Sequence, residues 1–189
     1  MSATDEKITR LLEDAQRGNA SAEATLYTTV YAELRRIAKR QRGRWSGNDT
    51  MSTTVLVNEA YLKLAGANSI EFTNRAHFFA TAARAMRQVL LNYAERMQAV
   101  KRGGDMHQVT FSDALAIGES RVDDVLAIER VVQALEARNE RYGRVLECRL
   151  FGGMSVAETA AALDVSDRTV KRDWAFVSAW LHRELGGDQ

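Results

Sequence analysis

The 189-residue sequence has no proline, a single cysteine and only 7% aromatic residues. Without proline, nothing breaks long helices from within. Cys148 alone excludes an internal disulfide, and His77, His107 and His182 stand too far apart for metal-ligand spacing, so no metal site is expected. No stretch approaches the ~20 consecutive apolar residues of a membrane span. The polar start, Met1 to Arg10, lacks the apolar core of a signal peptide. A cytoplasmic protein with no membrane partner is the expectation. There is no glycine-rich phosphate loop and no nucleophile motif, and Cys148 lies in an apolar stretch that suits a buried structural thiol. Neither enzymatic activity nor a cofactor is expected.

What is present suffices to bury a core, since 46% of residues are hydrophobic and 27% charged. The 26 Lys+Arg nearly cancel the 25 Asp+Glu, but they are segregated along the chain. Arg35, Arg36, Lys39, Arg40, Arg42 and Arg44 form one basic cluster without an acid. A second, Arg75, Arg84, Arg87, Arg96, Lys101 and Arg102, holds only Glu95, and most acids come later. Local basic surfaces able to attract phosphates survive the near-zero sum.

Apolar spacings of three and four predict an all-α chain. A first helix is expected from Thr4 to Arg17, ending at Gly18-Asn19, and a second opened by Ser21 with Leu26, Val30, Leu34 and Ile37 inward. A loop at Gly43 to Met51 precedes a short helix with Val57, Tyr61 and Leu64 on one face. The clearest period follows over Asn74 to Ala99, where Phe79, Ala83, Met86, Leu90, Tyr93 and Met97 share one face. His77, Thr81, Arg84, Gln88, Asn92 and Glu95 lie opposite, either as a solvated face or as a binding surface. Residues 101–122 have no sustained period and are predicted to be a flexible linker. Two small helical domains, 1–100 and 123–189, flank it.

Met154 to Leu185 is the most informative segment. Ser155 with Glu158 has capping-box spacing, Asp164 stands where a tight turn usually has glycine, and Ser166 caps a longer helix. Helix, short turn and longer helix make a helix-turn-helix, although a plain hairpin with solvated arginines has the same pattern. Ser166, Arg168, Thr169, Lys171 and Arg172 are the side chains a recognition helix would offer to bases and phosphates.

Three segments in this order resemble bacterial RNA polymerase sigma factors of the extracytoplasmic-function (ECF) type, which keep only regions 2 and 4. Leu56-Val-Asn-Glu-Ala-Tyr-Leu-Lys-Leu64 is similar to region 2.2, Phe72 to Arg87 to regions 2.3 and 2.4, and Phe151 to Arg172 to region 4.2. The resemblance implies an alternative sigma factor whose partners are core RNA polymerase, through its clamp helices and flap, and promoter DNA. It assigns polymerase binding to Leu56, Asn58, Glu59, Tyr61 and Lys63. For the −10 element it points to Asn74, Arg75, His77, Phe78, Arg84, Arg87, Gln88, Asn92 and Arg96, with bases stacking on aromatic rings. The −35 element falls to the recognition helix.

One departure stands out. Most members of that family carry an acidic run just before region 2.2, and this chain has Thr50-Met-Ser-Thr-Thr-Val55 instead. The resemblance links a subgroup lacking that run to Ser/Thr protein kinases. A phosphate there would add about −1.5 to −2 of charge near a helix N-terminus. Thr50 and Thr54, and after them Thr53, are the expected acceptors, while Ser52 or Thr53 could equally cap the helix. The competing functional class is a stand-alone helix-turn-helix regulator of duplex DNA, which leaves both N-terminal basic clusters without a task.

Overall fold

The computed structural model describes residues 3–43, 50–65, 71–101 and 122–185, and these are helical almost throughout, with no strand among them. The fold is all-α. In chain order the helices are α1 (Ala3–Gln16), α2 (Ala20–Gly43), α3 (Thr50–Ala65), α4 (Arg75–Lys101), α5 (Val122–Arg138), α6 (Glu140–Leu146), α7 (Val156–Leu163) and α8 (Asp167–Leu185). A π-helical turn, Glu147–Gly152, continues α6. No described helix is long and apolar enough to cross a membrane.

Local chemistry sets the ends. Gly18 takes a left-handed φ of 87° after α1, and Asn19, not Ser21 as the sequence suggested, caps α2 by accepting from the backbone N–H of Ser21 and Ala22. Its carboxamide oxygen satisfies two of the donors that the first turn leaves without an intrahelical partner. Asn74 does the same for α4, accepting from the His77 N–H at 2.9 Å.

α4 is the central strut. It packs against α1, α2 and α3 on one side and against α5, α7 and the π-helical turn on the other. Five members of its expected stripe, Phe79, Ala83, Met86, Leu90 and Tyr93, are buried; the Met97 side chain lies outside the described set. Phe78, Ala82, Arg87, Val89, Leu91 and Ala94 are buried too. A helix covered on two sides cannot show one narrow stripe, which is why periodicity understated its burial. The two halves of the chain consequently share one continuous core, from Ile8 and Leu12 to Phe151 and Val177. The segment expected to be a linker lies almost entirely outside the described residues.

On α3 the buried apolar set is Leu56, Val57, Ala60 and Leu64, with Tyr61 only half-buried. The face is thus turned from Tyr61 toward Leu56 and Ala60, because α3 wedges between α2 and α4.

Candidate nucleic-acid interface

The C-terminal half builds the motif the sequence promised. Ser155 Oγ accepts from the Glu158 N–H at 3.1 Å and Glu158 Oε2 accepts from the Ser155 N–H at 2.7 Å, closing a capping box at the start of α7. Burial raises the Glu158 carboxyl, but the Ser155 hydrogen bonds and the nearby Arg75 and Arg36 charges hold it below its usual range. α7 ends on Asp164 at φ 52°, ψ 50°, the left-handed conformation that a helix-turn-helix turn normally gives to glycine. Ser166 then caps α8 through the Thr169 N–H at 3.2 Å, which occupies the hydroxyl locally.

From α8, Arg168, Lys171 and Arg172 project into solvent and Thr169 is half-buried. Among the described residues Arg168 and Lys171 make no ion pair. Arg172 bonds Asp173 Oδ1 through Nε and Nη2, both at 3.1 Å. Asp173 is 1% exposed and also accepts from Arg141 Nε at 2.5 Å, so one buried carboxylate ties α6 to α8 and steers Arg172. Nothing in the spacing of Asp173 marked it; it follows Arg172 on the inner side of α8.

α4 divides the residues expected to meet the −10 strand. Arg84, Gln88 and Arg96 are exposed and Asn92 half-exposed, with Gln88 Nε2 donating to Asn92 Oδ1 at 2.9 Å. The others are occupied. Phe78 is 2% exposed, edge-on to Phe72 and Phe79, so it packs the core and offers no stacking platform. Arg75 pairs with Asp5 at 3.4 Å and Glu158 at 3.7 Å and lies over the Phe79 ring. Asn74 Nδ2 donates to the Ala161 carbonyl at 3.2 Å. His77 is half-buried, and burial together with the Arg144 charge lowers its pKa.

Arg87 departs furthest from expectation. It is buried, and its guanidinium bonds Glu147 Oε1 through Nε at 3.1 Å and Nη2 at 2.6 Å, and Glu129 through Nη1. Arg84 approaches Glu147 at 3.7 Å. Burial works against the Arg87 charge, but the two carboxylates outweigh it and raise its pKa. Burial pushes the Glu147 carboxyl up against the pull of both arginines. In this packing Arg87 is an internal cation, withdrawn from DNA.

The expected polymerase face of α3 is also rearranged. Leu56 is fully buried and cannot contact a partner. Tyr27 Oη donates to Asn58 Oδ1 at 2.7 Å and Tyr61 Oη to the Glu23 carbonyl at 3.3 Å, stapling α3 to α2. Burial, followed by the Glu23 and Tyr27 neighbours, pushes the Tyr61 phenol up to about 12. Asn58 and Lys63 are exposed and Glu59 half-exposed. Leu62, which the sequence did not single out, is 65% exposed, the one large hydrophobic so exposed among the described residues. Its apolar side chain between Asn58 and Lys63 was the available signal.

Thr53 is 2% exposed and its Oγ1 accepts from Arg42 Nη1 at 3.0 Å, so it is not an accessible acceptor in this fold. Thr54 is half-buried, and the Thr50 side chain lies outside the described set. Cys148 is 1% exposed, and burial pushes its thiol up to about 12. Iodoacetamide at pH 8 is therefore expected to leave it unmodified in the folded chain and to alkylate it fully after unfolding, as read by intact-mass spectrometry.

Fold and surface together define a helix-turn-helix protein in which a second helical unit is packed on the first. The sequence profile described as ECF sigma factor matches residues 5–187, and the chain belongs to the ECF sigma factor family. Membership implies core RNA polymerase and promoter DNA as partners, in a family of non-enzymatic transcription factors. Among solved structures, that of CnrH in complex with the cytosolic domain of CnrY is 18% identical, covering 97% of this chain and 99% of its own, with a TM-score of 0.46. No curated protein matches the sequence significantly.

Proposed function

We propose that this chain is an alternative sigma factor acting in the cytoplasm, with the N-terminal helices as region 2 and the C-terminal helices as region 4. The exposed side of α3, namely Asn58, Glu59, Leu62 and Lys63, meets the polymerase clamp. The exposed part of α4 receives the −10 strand, and α8 enters the major groove at −35. The observation that carries this reading is the capped α7–α8 pair with Arg168 and Lys171 exposed at the start of the second helix and in no ion pair among the described residues.

We further propose that a Ser/Thr kinase activates it at the start of α3. That helix begins at Thr50 with no acid in its first turn. Its dipole there favours a negative charge that the sequence omits. Thr50 and Thr54 are the acceptors. The test is binding to core polymerase, then promoter-dependent transcription, by the unmodified protein, the kinase-treated protein and Thr50→Glu and Thr54→Glu variants. Binding only where negative charge is present is the expected result, together with loss of kinase-dependent transcription in Thr50→Ala/Thr54→Ala. Equal, tight binding by every form would remove the switch and keep the sigma assignment. No binding by any form would make the chain a duplex-binding regulator.

A further inference from the structure

We infer that a second row of cations, Arg141 and Arg138, grips the phosphate backbone on the flank of α8 opposite Lys171, and that the buried Asp173 is the positioning residue that aims Arg141 at that backbone and Arg172 into the groove. This rests on the proposed entry of α8 into the major groove. A helix lying there has a phosphate strand on either flank, because the groove is about 12 Å wide, hardly more than the helix with its side chains. At about 100° per residue, Lys171 lies about 100° to one side of Arg172 and Asp173 about 100° to the other. Lys171 can therefore serve one strand. On the other flank α8 presents Thr169, Asp173 and Phe176, none of them basic.

Neighbouring helices supply what that flank lacks. Asp173 is 1% exposed and gives both oxygens to arginines: Oδ2 accepts from Arg141 Nε at 2.5 Å, and Oδ1 from Arg172 Nε and Nη2, both at 3.1 Å. A tie between α6 and α8 would be complete with Arg141 alone. The Arg172 bonds lie within one helix, so they add nothing to that tie and fix the direction of a solvent-facing guanidinium instead. Arg141 commits only Nε to Asp173, and its side chain is 34% exposed, so the Nη1 and Nη2 hydrogens remain for a further acceptor. Two arginines on one carboxylate leave the cluster net positive, and phosphate oxygens suit such paired guanidiniums. Arg138 continues the row along α8. It is exposed, lies 4.7 Å over the Trp180 ring and 6.0 Å over Phe176, and makes no ion pair among the described residues. Ring faces hold a cation in place without cancelling its charge. The acid next to Arg141, Glu140, pairs with Arg144.

The test is binding of the full chain, assembled with core polymerase, to duplex DNA across a potassium chloride series, read by fluorescence anisotropy. Two probes are used: the duplex that wild type selects from a randomised library, and a mixed-sequence duplex. Arg141→Met and Arg138→Ala are each expected to lower the slope of log affinity against log salt by about 1 on both probes, so that a tenfold rise in salt costs them about tenfold less than it costs wild type. Thermal unfolding of the same proteins reads the tie between α6 and α8, which moves Tm and leaves the salt slope alone. Arg138→Ala changes only an exposed side chain, so the slope can be read even if Arg141→Met folds poorly.

Asp173→Asn separates positioning from charge. A carboxylate that merely neutralised its neighbours would, once removed, leave more positive charge and tighter binding to both probes. A positioning carboxylate is expected instead to take with it about fivefold or more of the preference for the selected duplex. Wild-type slopes in both Arg141→Met and Arg138→Ala, or tighter binding of both probes by Asp173→Asn, would overturn the inference. Arg168→Ala and Lys171→Ala are measured beside them. If these lose affinity while Arg141→Met and Arg138→Ala keep it, the second row alone falls; if all four bind as wild type does, α8 lies outside the groove and both readings fall.

Discussion

Replacing Arg87 by methionine is expected to cost about 3–5 kcal/mol of conformational stability, the scale set by leaving a buried charge without its partner. For a chain of this size that corresponds to a fall of roughly 6–20 °C in Tm. The side chains of Arg87, Glu147 and Glu129 are 9%, 5% and 14% exposed, so the carboxylates left behind gain little from water while the halves stay together. Methionine keeps most of the aliphatic volume against Phe151, whose ring the guanidinium now overlies at 5.9 Å. The loss therefore reports charge, not a cavity.

The double variant Arg87→Met/Glu147→Gln should recover much of the loss, because a buried pair removed together takes its desolvation cost with it. Urea unfolding followed by far-ultraviolet circular dichroism gives both numbers. Small-angle scattering adds a second observable, since a compact chain of 189 residues has a radius of gyration of about 16 Å. If the single variant expands before it unfolds, Glu147 has found water by opening the interface. If Arg87→Met is as stable and as compact as wild type, the cluster does not hold the halves together.

The same cluster marks where sequence reading stops. The α7–α8 pair was legible because its signals are local: the Ser155–Glu158 spacing, an Asp that tolerates the left-handed region at 164, and Ser166 three residues before Thr169. The inner stripe of α4 was legible because one period of 3.6 recorded one partner. Its second buried side was not, since Arg87 reads as a surface cation until Glu129 and Glu147, 42 and 60 residues further on, are brought beside it.

Leu56 and Thr53 are buried for a related reason. Both lie on a helix that sequence treats as having one covered face, whereas α3 is held between α2 and α4. The π-helical turn at Glu147–Gly152 left no pattern either. It inserts one extra residue into the helical phase, and the Gly153 and Met154 N–H groups both close on the Cys148 carbonyl. Charge patterning found the basic clusters, but which cations remain free depends on tertiary pairing. Arg87 is buried against Glu129 and Glu147 and Arg40 Nη1 donates to the Gly152 carbonyl, while Arg168 and Lys171 stay exposed.

The outer face of α8, with Arg168, Lys171 and Arg172, stays exposed while the two halves are packed together. Arg168→Ala is expected to weaken binding to the chain's preferred duplex by about 1–3 kcal/mol, roughly 5- to 150-fold, while barely changing binding to mixed-sequence DNA. Lys171→Ala should instead weaken all duplexes alike and lower the slope of log affinity against log salt by about 1, as expected for one lost phosphate contact. Arg172 should fall between the two, since Asp173 already neutralises part of its charge and fixes its direction. The preferred duplex is obtained by selection from a randomised library with the full chain bound to core polymerase, and the salt series is run on that complex and on the free chain. Identical slopes for wild type and Lys171→Ala, together with unchanged sequence preference in Arg168→Ala, would remove α8 from the groove. Opposite signatures from two residues three positions apart would fix both the helix that reads DNA and the side of it that faces the bases, because only a helix lying in the major groove separates a base contact from a phosphate contact over less than one turn.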